Sequence, residues 1–208
     1  MKGLFVTFEG IDGSGKSLML KMAAKELHSC GYDVLCTFEP GGSDLGRKLR
    51  DIILDSPYGA IDAGSEALLY AADRSLHVAK VLLPALESGR VVLCDRYIDS
   101  SYAYQGGGRS VEFEDIRRLN EFAIQGLMPD VTFLLDLPVQ AALSRLRGPK
   151  DRLEQEDVAF FEETAAAYRR LAQAEPERFR VIDATRSIEE ESSQINRILM
   201  EMLKERCP

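Results

Sequence analysis

Apolar positions along the chain follow two alternating patterns. Short runs dense in Val, Leu, Ile and Phe, bounded by glycine, proline or charge, read as buried strands: LFVTFE (Leu4 to Glu9), DVLCTF (Asp33 to Phe38), VVLC (Val91 to Cys94), VTFLLD (Val131 to Asp136) and FRVID (Phe179 to Asp183). Between them apolar residues recur every three or four positions, as on amphipathic helices. Leu20, Ala23, Ala24 and Leu27 open the series, and Leu45, Leu49, Ile52 and Ile53 predict a helix ending near Pro57. Leu68, Ala72, Leu76, Ala79, Leu83 and Leu86 predict one repeating face of a long helix from about Ser65 to Leu86, its last turn bent by Pro84. Helices are also expected over 112–125 and 139–146, along Val158, Phe161, Ala165, Tyr168 and Leu171, and through Ile188, Ile195, Ile198, Leu199 and Met202. Ser100 to Gln105 is compatible with a helix inside a Gly- and Ser-rich stretch, whereas Arg147 to Glu154 (RGPKDRLE) lacks apolar periodicity and is expected to be a loop.

Five strands alternating with helices predict an α/β fold, a three-layer sandwich in which a five-stranded parallel sheet is flanked by helices on both faces. Ligands in such sheets bind beyond the C-terminal ends of the strands. The length of 208 residues suits a single domain, 1–208, with a lid segment at about 147–154.

Composition narrows the function classes. The chain is 45% hydrophobic and 29% charged, and it has no apolar run of the ~18 residues needed to span a membrane. The first strand begins after three residues, which leaves no room for a leader segment, and the expected location is cytoplasmic. Cys30, Cys36, Cys94 and Cys207 are scattered without metal-ligand spacing, and Cys36 and Cys94 are expected in the core. A net charge of −8 argues against non-specific nucleic-acid binding.

The first strand runs directly into Gly10-Ile11-Asp12-Gly13-Ser14-Gly15-Lys16-Ser17, which has the GxxxxGK[ST] spacing, and a helix follows. Glycines allow successive N–H groups to turn inward around a phosphate, and the helix N-terminus adds a favourable dipole. Lys16 supplies a point charge to the terminal phosphates, and the Ser17 hydroxyl is a candidate Mg2+ ligand.

Once the strands are aligned, Asp12, Glu39, Asp95, Arg96 and Asp136 all fall at or just beyond C-terminal strand ends, around one crevice. Phosphoryl transfer needs such an arrangement, because the rate comes from positioning two anions and neutralising charge on the transferred group. A basic lid carrying Arg147, Lys150 and Arg152 has the composition to close over a triphosphate; a solvated connection is the alternative.

These blocks together resemble the bacterial thymidylate kinase family over nearly the whole chain. FEGIDGSGKS, EPGGS (Glu39 to Ser43), LLYAADRSLHV (Leu68 to Val78), DRYIDSSYAYQG (Asp95 to Gly106), DRLEQED (Asp151 to Asp157) and ERFRVIDA (Glu177 to Ala184) carry the resemblance in order and spacing. It implies the P-loop nucleotide kinase fold, ATP-dependent conversion of dTMP to dTDP, Mg2+ on the donor phosphates, and a homodimer. It also implies residue roles. Gly10 to Ser17 bind ATP; Arg74 and Arg96 hold the acceptor phosphate, with Arg50 nearby; and Glu39 and Pro40 belong to the acceptor turn. By the same resemblance Tyr70 stacks on the base, Ser101 and Gln105 hydrogen-bond it, and Tyr104 packs under the sugar. Asp12 approaches the 3′-hydroxyl, Asp95 orders metal-bound water, and Arg147 and Arg152 join Asp12, Lys16 and Arg96 as catalytic groups. Three positions depart from the family pattern: Phe38 stands for arginine, Ser43 for threonine and Tyr70 for phenylalanine.

Other kinases of this scaffold, acting on dCMP, UMP or thymidine, remain alternatives, and a nucleotide-dependent switch or binding module is a more remote one. No NKxD-type guanine-reading segment is present. Surplus apolar residues on the helix from Ser65 and on the helix ending near Gln125 are available for a symmetric interface. Arg145 and the loop after Asp183 are both candidates for the adenine contact.

Overall fold

The computed structural model describes residues 3–55 and 59–206. Cys207 and the predicted helix stop at Pro57 lie outside them. All five predicted strands form, as β1 (Leu4–Glu9), β2 (Val34–Phe38), β3 (Val91–Asp95), β4 (Val131–Asp136) and β5 (Phe179–Asp183). They pair in parallel in the order β2-β3-β1-β4-β5. β1 is central and buried along all six residues, so it shows continuous rather than alternating hydrophobicity. Its register sets Phe8 beside Asp95 on one side and Phe133 on the other, which brings the strand ends to a common level.

Helices cover both faces. On one, Leu4, Val6, Phe8 and Leu93 pack with Met19, Leu20, Ala23 and Leu27 of α1 (Lys16–Ser29). On the other, Phe5, Val92 and Cys94 meet Val78, Leu82 and Leu86. β2 lies at the sheet edge, and there the expectation for Cys36 fails: this residue is exposed, while Cys94 on interior β3 is buried.

The long central helix is interrupted where a bend was expected, at Pro84. It consists of α3 (Ala63–His77), a π-helical turn (Val78–Leu82) and α4 (Leu83–Glu87). The Leu83 N–H reaches back five residues to the Val78 carbonyl, and the widened turn accommodates Pro84, which lacks an N–H and crowds the preceding turn. The predicted apolar face is exposed at Leu68, Ala72 and Ala79 and turns into the core only at Leu86. Leu68 is 56% exposed, and Glu66, Tyr70, Asp73, Arg74 and His77 are buried instead. Of these inward residues, Tyr70 and Arg74 line a cavity.

The remaining helices are α2 (Asp44–Asp55), α5 (Ile98–Ser101), which continues as a second π-helical segment (Tyr102–Gly108), α6 (Phe113–Ile124), α7 (Val139–Arg145), α8 (Val158–Ala174) and α9 (Ile188–Arg206). The stretch compatible with a helix at Ser100 to Gln105 is therefore helical, with π geometry in its second half. No helix among the described residues is long and apolar enough to cross a membrane.

Candidate active site

The loop between β1 and α1 is moulded against the next strand-helix unit. Gly13 has φ 81°, and a Cβ there would sit 2.1 Å from the Ala142 carbonyl oxygen of α7; at Gly10 it would come within 2.7 Å of the Leu135 carbonyl oxygen. Lys16 folds back across the loop, its Nζ donating to the Ile11 carbonyl at 2.9 Å. Burial, and then Arg96, push its ammonium down to about 8 against the pull of Asp12, Asp95 and Glu9. The buried Ser14 hydroxyl has no partner among the described residues. Ser17 donates its hydroxyl proton to Asp95 at the end of β3, so the two expected metal-side groups are adjacent.

Arg96 follows β3 with φ 69°, a left-handed conformation that costs a non-glycine residue on the order of 1 kcal/mol or more. The environment holds it there: its N–H donates to the Phe8 carbonyl at 3.0 Å. Its guanidinium reaches Asp12 at 2.6 Å, the Tyr104 hydroxyl at 2.9 Å and the Gly10 carbonyl at 3.1 Å. Tyr104 in turn donates to the other Asp12 oxygen at 2.7 Å. Burial alone would raise the Asp12 carboxyl, but Arg96 and then Lys16 outweigh it and hold the group at about 2. Thus Asp12, Arg96 and Tyr104 form one cluster between the loop and a second cavity.

That cavity is lined by all of the expected acceptor residues: Glu39, Pro40, Arg50, Tyr70, Arg74, Ser101 and Gln105 join Asp12, Arg96 and Tyr104. Arg74 is 1% exposed and already committed, donating to Glu39 (2.8 Å), Ser101 (2.8 Å), Asn120 and the Tyr97 carbonyl (2.9 Å). It is therefore grouped with Ser101 and Glu39 rather than with Asp12. Arg50 donates to the Pro40 carbonyl at 2.8 Å and stacks on Phe38.

Two expected residues are not brought to the phosphate loop. Arg147 is exposed and bonds the Ser144 and Leu146 carbonyls. Arg152 docks the segment on the acceptor side, reaching Glu66 at 2.5 Å and the Ile53 carbonyl at 2.9 Å. Asp151 and Leu153 consequently form part of the acceptor cavity wall. Asp136 is also withdrawn: Arg169 pairs with it at 2.9 Å, and it borders neither cleft.

Several site-building residues were missed by the sequence reading. Glu9, fully buried, accepts from the Tyr97 N–H, Ser100 and Tyr168, each at 2.7 Å, and so fixes the backbone beside Arg96. Burial, then Asp99, push its carboxyl up to about 7. Asp73 accepts from the Gly41 N–H at 3.1 Å, and its second oxygen is buried without a partner among the described residues; burial, then Glu39, push it up to about 6. His77 joins Thr37 and Glu39 at 2.7 and 2.8 Å. The signal was available, since 66, 70, 73, 74 and 77 repeat at helical spacing as clearly as the apolar series does.

The open cleft along the phosphate loop extends to Arg145, Arg186, Ile188 and Glu191, so both candidate adenine regions border it. The model of the thymidylate kinase family matches residues 8–195. Among curated relatives, the chain is similar to the thymidylate kinase of Halothermothrix orenii, with 50% identity covering 91% of this chain and 93% of the relative. It is likewise similar to those of Lactobacillus helveticus, at 44% identity with 99% of both chains covered, and Pseudomonas syringae pv. tomato, at 44% with 98% of both.

Proposed function

The chain belongs to the thymidylate kinase family and phosphorylates dTMP to dTDP with ATP, and on that premise we propose how its residues divide the work. The carrying observation is the Asp12–Arg96–Tyr104 cluster, which joins the phosphate loop to the acceptor cavity. Gly10 to Ser17 hold the ATP phosphates, with Lys16 neutralising charge on the transferred group. Arg96 and Arg50 take the acceptor phosphate; Arg96 gives up part of its bonding to Asp12 as a phosphate oxygen replaces the carboxylate. Asp12 then faces the sugar, and Tyr104 closes the space a 2′-hydroxyl needs.

Tyr70 stacks on the base, while Ser101 and Gln105 read its edge. Arg74 keeps Ser101 and Glu39 in place, and Pro40 turns the chain so that its carbonyl orients Arg50. The adjacent oxygens of Ser17 and Asp95 form a hard donor set that suits Mg2+, Ser17 directly and Asp95 through water. When bound with ATP, the ion spreads the negative charge of the donor phosphates. Of the two lid arginines, Arg147 is the one with only backbone partners, and it turns onto the donor phosphates, while Arg152 stays on the acceptor wall. Residues 1–208 act as a single kinase domain with its lid at about 147–154, in the cytoplasm, where both substrates are found.

The active form is a homodimer. Leu68 and Phe122 are 56% and 84% exposed, and they flank a groove between α3 and α6 with Ala72, Leu76 and Leu119. A second copy of the same surface is the occupant that buries it symmetrically.

Steady-state rates with ATP, Mg2+ and a panel of dTMP, dCMP, UMP and AMP test the acceptor reading. The expected result is preference for dTMP, with most turnover lost in both Lys16→Ala and Arg96→Ala. Faster phosphorylation of dCMP, UMP or AMP would overturn the proposed acceptor site.

A further inference from the structure

Glu66 is 0% exposed, and among the described residues its carboxylate hydrogen-bonds neither the phosphate loop nor the Asp12 cluster. Three side chains converge on it instead. Gln105 Nε2 donates to its Oε1 at 2.9 Å, Arg109 spans both oxygens at 3.4 and 3.3 Å, and Arg152 reaches Oε2 at 2.5 Å. A carboxylate held between two guanidinium groups accepts hydrogen bonds and donates none. Only one orientation of the Gln105 amide satisfies it, with the NH2 limb toward Glu66. The carbonyl limb accepts from no described residue, and among the described residues Gln105 is the one side-chain amide lining the acceptor cavity.

We infer that Glu66 is a positioning residue for acceptor specificity: by locking the Gln105 amide it presents a carbonyl oxygen to the base, and so selects a pyrimidine whose ring N3 carries a proton. The inference rests on the reading of Gln105 as a base contact. Thymine has an imide N3–H that donates to such an oxygen. Cytosine has a lone pair at N3, which would face the carbonyl unpaired. An unlocked amide could turn its NH2 outward and serve either base, so the fixed orientation is what discriminates. The same carboxylate holds Arg152, which joins the wall segment at Asp151 and Leu153 to the group that reads the base.

The measurement is kcat/KM for dTMP against 5-methyl-dCMP, which keeps the methyl group but has no N3 proton. In Glu66→Gln the new amide can donate as well as accept, and Gln105 is free to flip. The dTMP to 5-methyl-dCMP ratio should fall about tenfold or more, with activity on 5-methyl-dCMP rising. Arg109→Met removes a cation but leaves the lock, and its ratio should stay within about twofold of wild type. Should Glu66→Gln not fold, Glu66→Asp still offers an acceptor-only group, and its ratio should stay near wild type whatever its rate. An unchanged ratio in Glu66→Gln, or an equal collapse in Arg109→Met or Glu66→Asp, would overturn the role of Glu66. Wild-type enzyme that failed to distinguish the two acceptors would instead overturn the assignment of Gln105 to the base.

Discussion

The guanidinium carbon of Arg50 lies 5.5 Å from the centroid of the Phe38 ring, at the rim of the acceptor cavity. The family resemblance led to an expected arginine at this position, and Phe38 offers a ring face there instead of a charge. A cation over an aromatic face at a half-exposed site gains about 0.5–1 kcal/mol. Phe38→Ala should therefore raise KM for dTMP about twofold to fivefold with little change in kcat. Phe38→Leu, which keeps bulk but not the ring face, should behave like alanine. A kcat loss without a KM change would place Phe38 elsewhere in the mechanism.

The depressed Lys16 ammonium predicts a pH limit on donor binding. With the amine at about 8 in the free enzyme, kcat/KM for ATP should decline above that pH, because this ratio reports ionisations of the free protein. Lys16→Arg, although slower, should show no such decline up to pH 10. A wild-type profile flat to that pH would contradict the burial of the charge.

Stability should fall as pH rises through mildly acid values. Glu9 is raised from 4.5 to about 7, so the folded state keeps a proton that the unfolded chain releases in that window. Its contribution is therefore fully present below 4.5 and lost by about 7; Asp73 acts in the same direction between 3.8 and about 6. Glu9→Gln should flatten the loss between pH 6 and 7 while leaving the Asp73 part below pH 6. Urea midpoints across this range measure it, and a wild-type slope retained in Glu9→Gln would remove Glu9 as the cause.

Arg152 separates two roles for the basic segment. Docked on Glu66 and the Ile53 carbonyl, it supports the acceptor wall, and Arg152→Ala should raise KM for dTMP about tenfold while kcat changes little. An arginine on the transferring phosphoryl would show the reverse, a kcat loss of about 10³. Arg147→Ala should give that kcat-dominated loss.

The outward face of α3 predicts its own assay. Leu68→Glu combined with Phe122→Glu places charge on both sides of the exposed groove, and light scattering should report a single chain where the wild type reports two. A wild-type protein already monomeric at micromolar concentration would leave the groove to another purpose.

Much of the fold was legible because strand runs and the phosphate loop are local features. LFVTFE leads into the glycines, and the five strands lie where their apolar runs put them. What misled was α3, where two helical series share one segment. The apolar series marked one repeating face with surplus surface left for an interface, whereas Tyr70 and Arg74 line the cavity and Glu66, Asp73 and His77 are buried with them. The lid misled for a related reason. Charge composition marks a basic segment without revealing its partner, and the carboxylate that captures Arg152 lies 86 residues away. Asp136, correctly placed at a strand end, was claimed by Arg169 from α8. Pairing of that kind depends on tertiary neighbours rather than on sequence spacing.

The hydrogen bond from Tyr168 to Glu9 links residues 159 positions apart. During synthesis the phosphate loop emerges well before α8, so the carboxylate beside it gains this partner late. The central strand likewise has one edge paired only once β3 has emerged and the other only with β4. Assembly up to β3 can pair β2, β3 and one edge of β1, but the contacts around Glu9 are complete only after α8 is made. Truncated products ending before Tyr168 should carry the nucleotide-binding motif without an organised acceptor site.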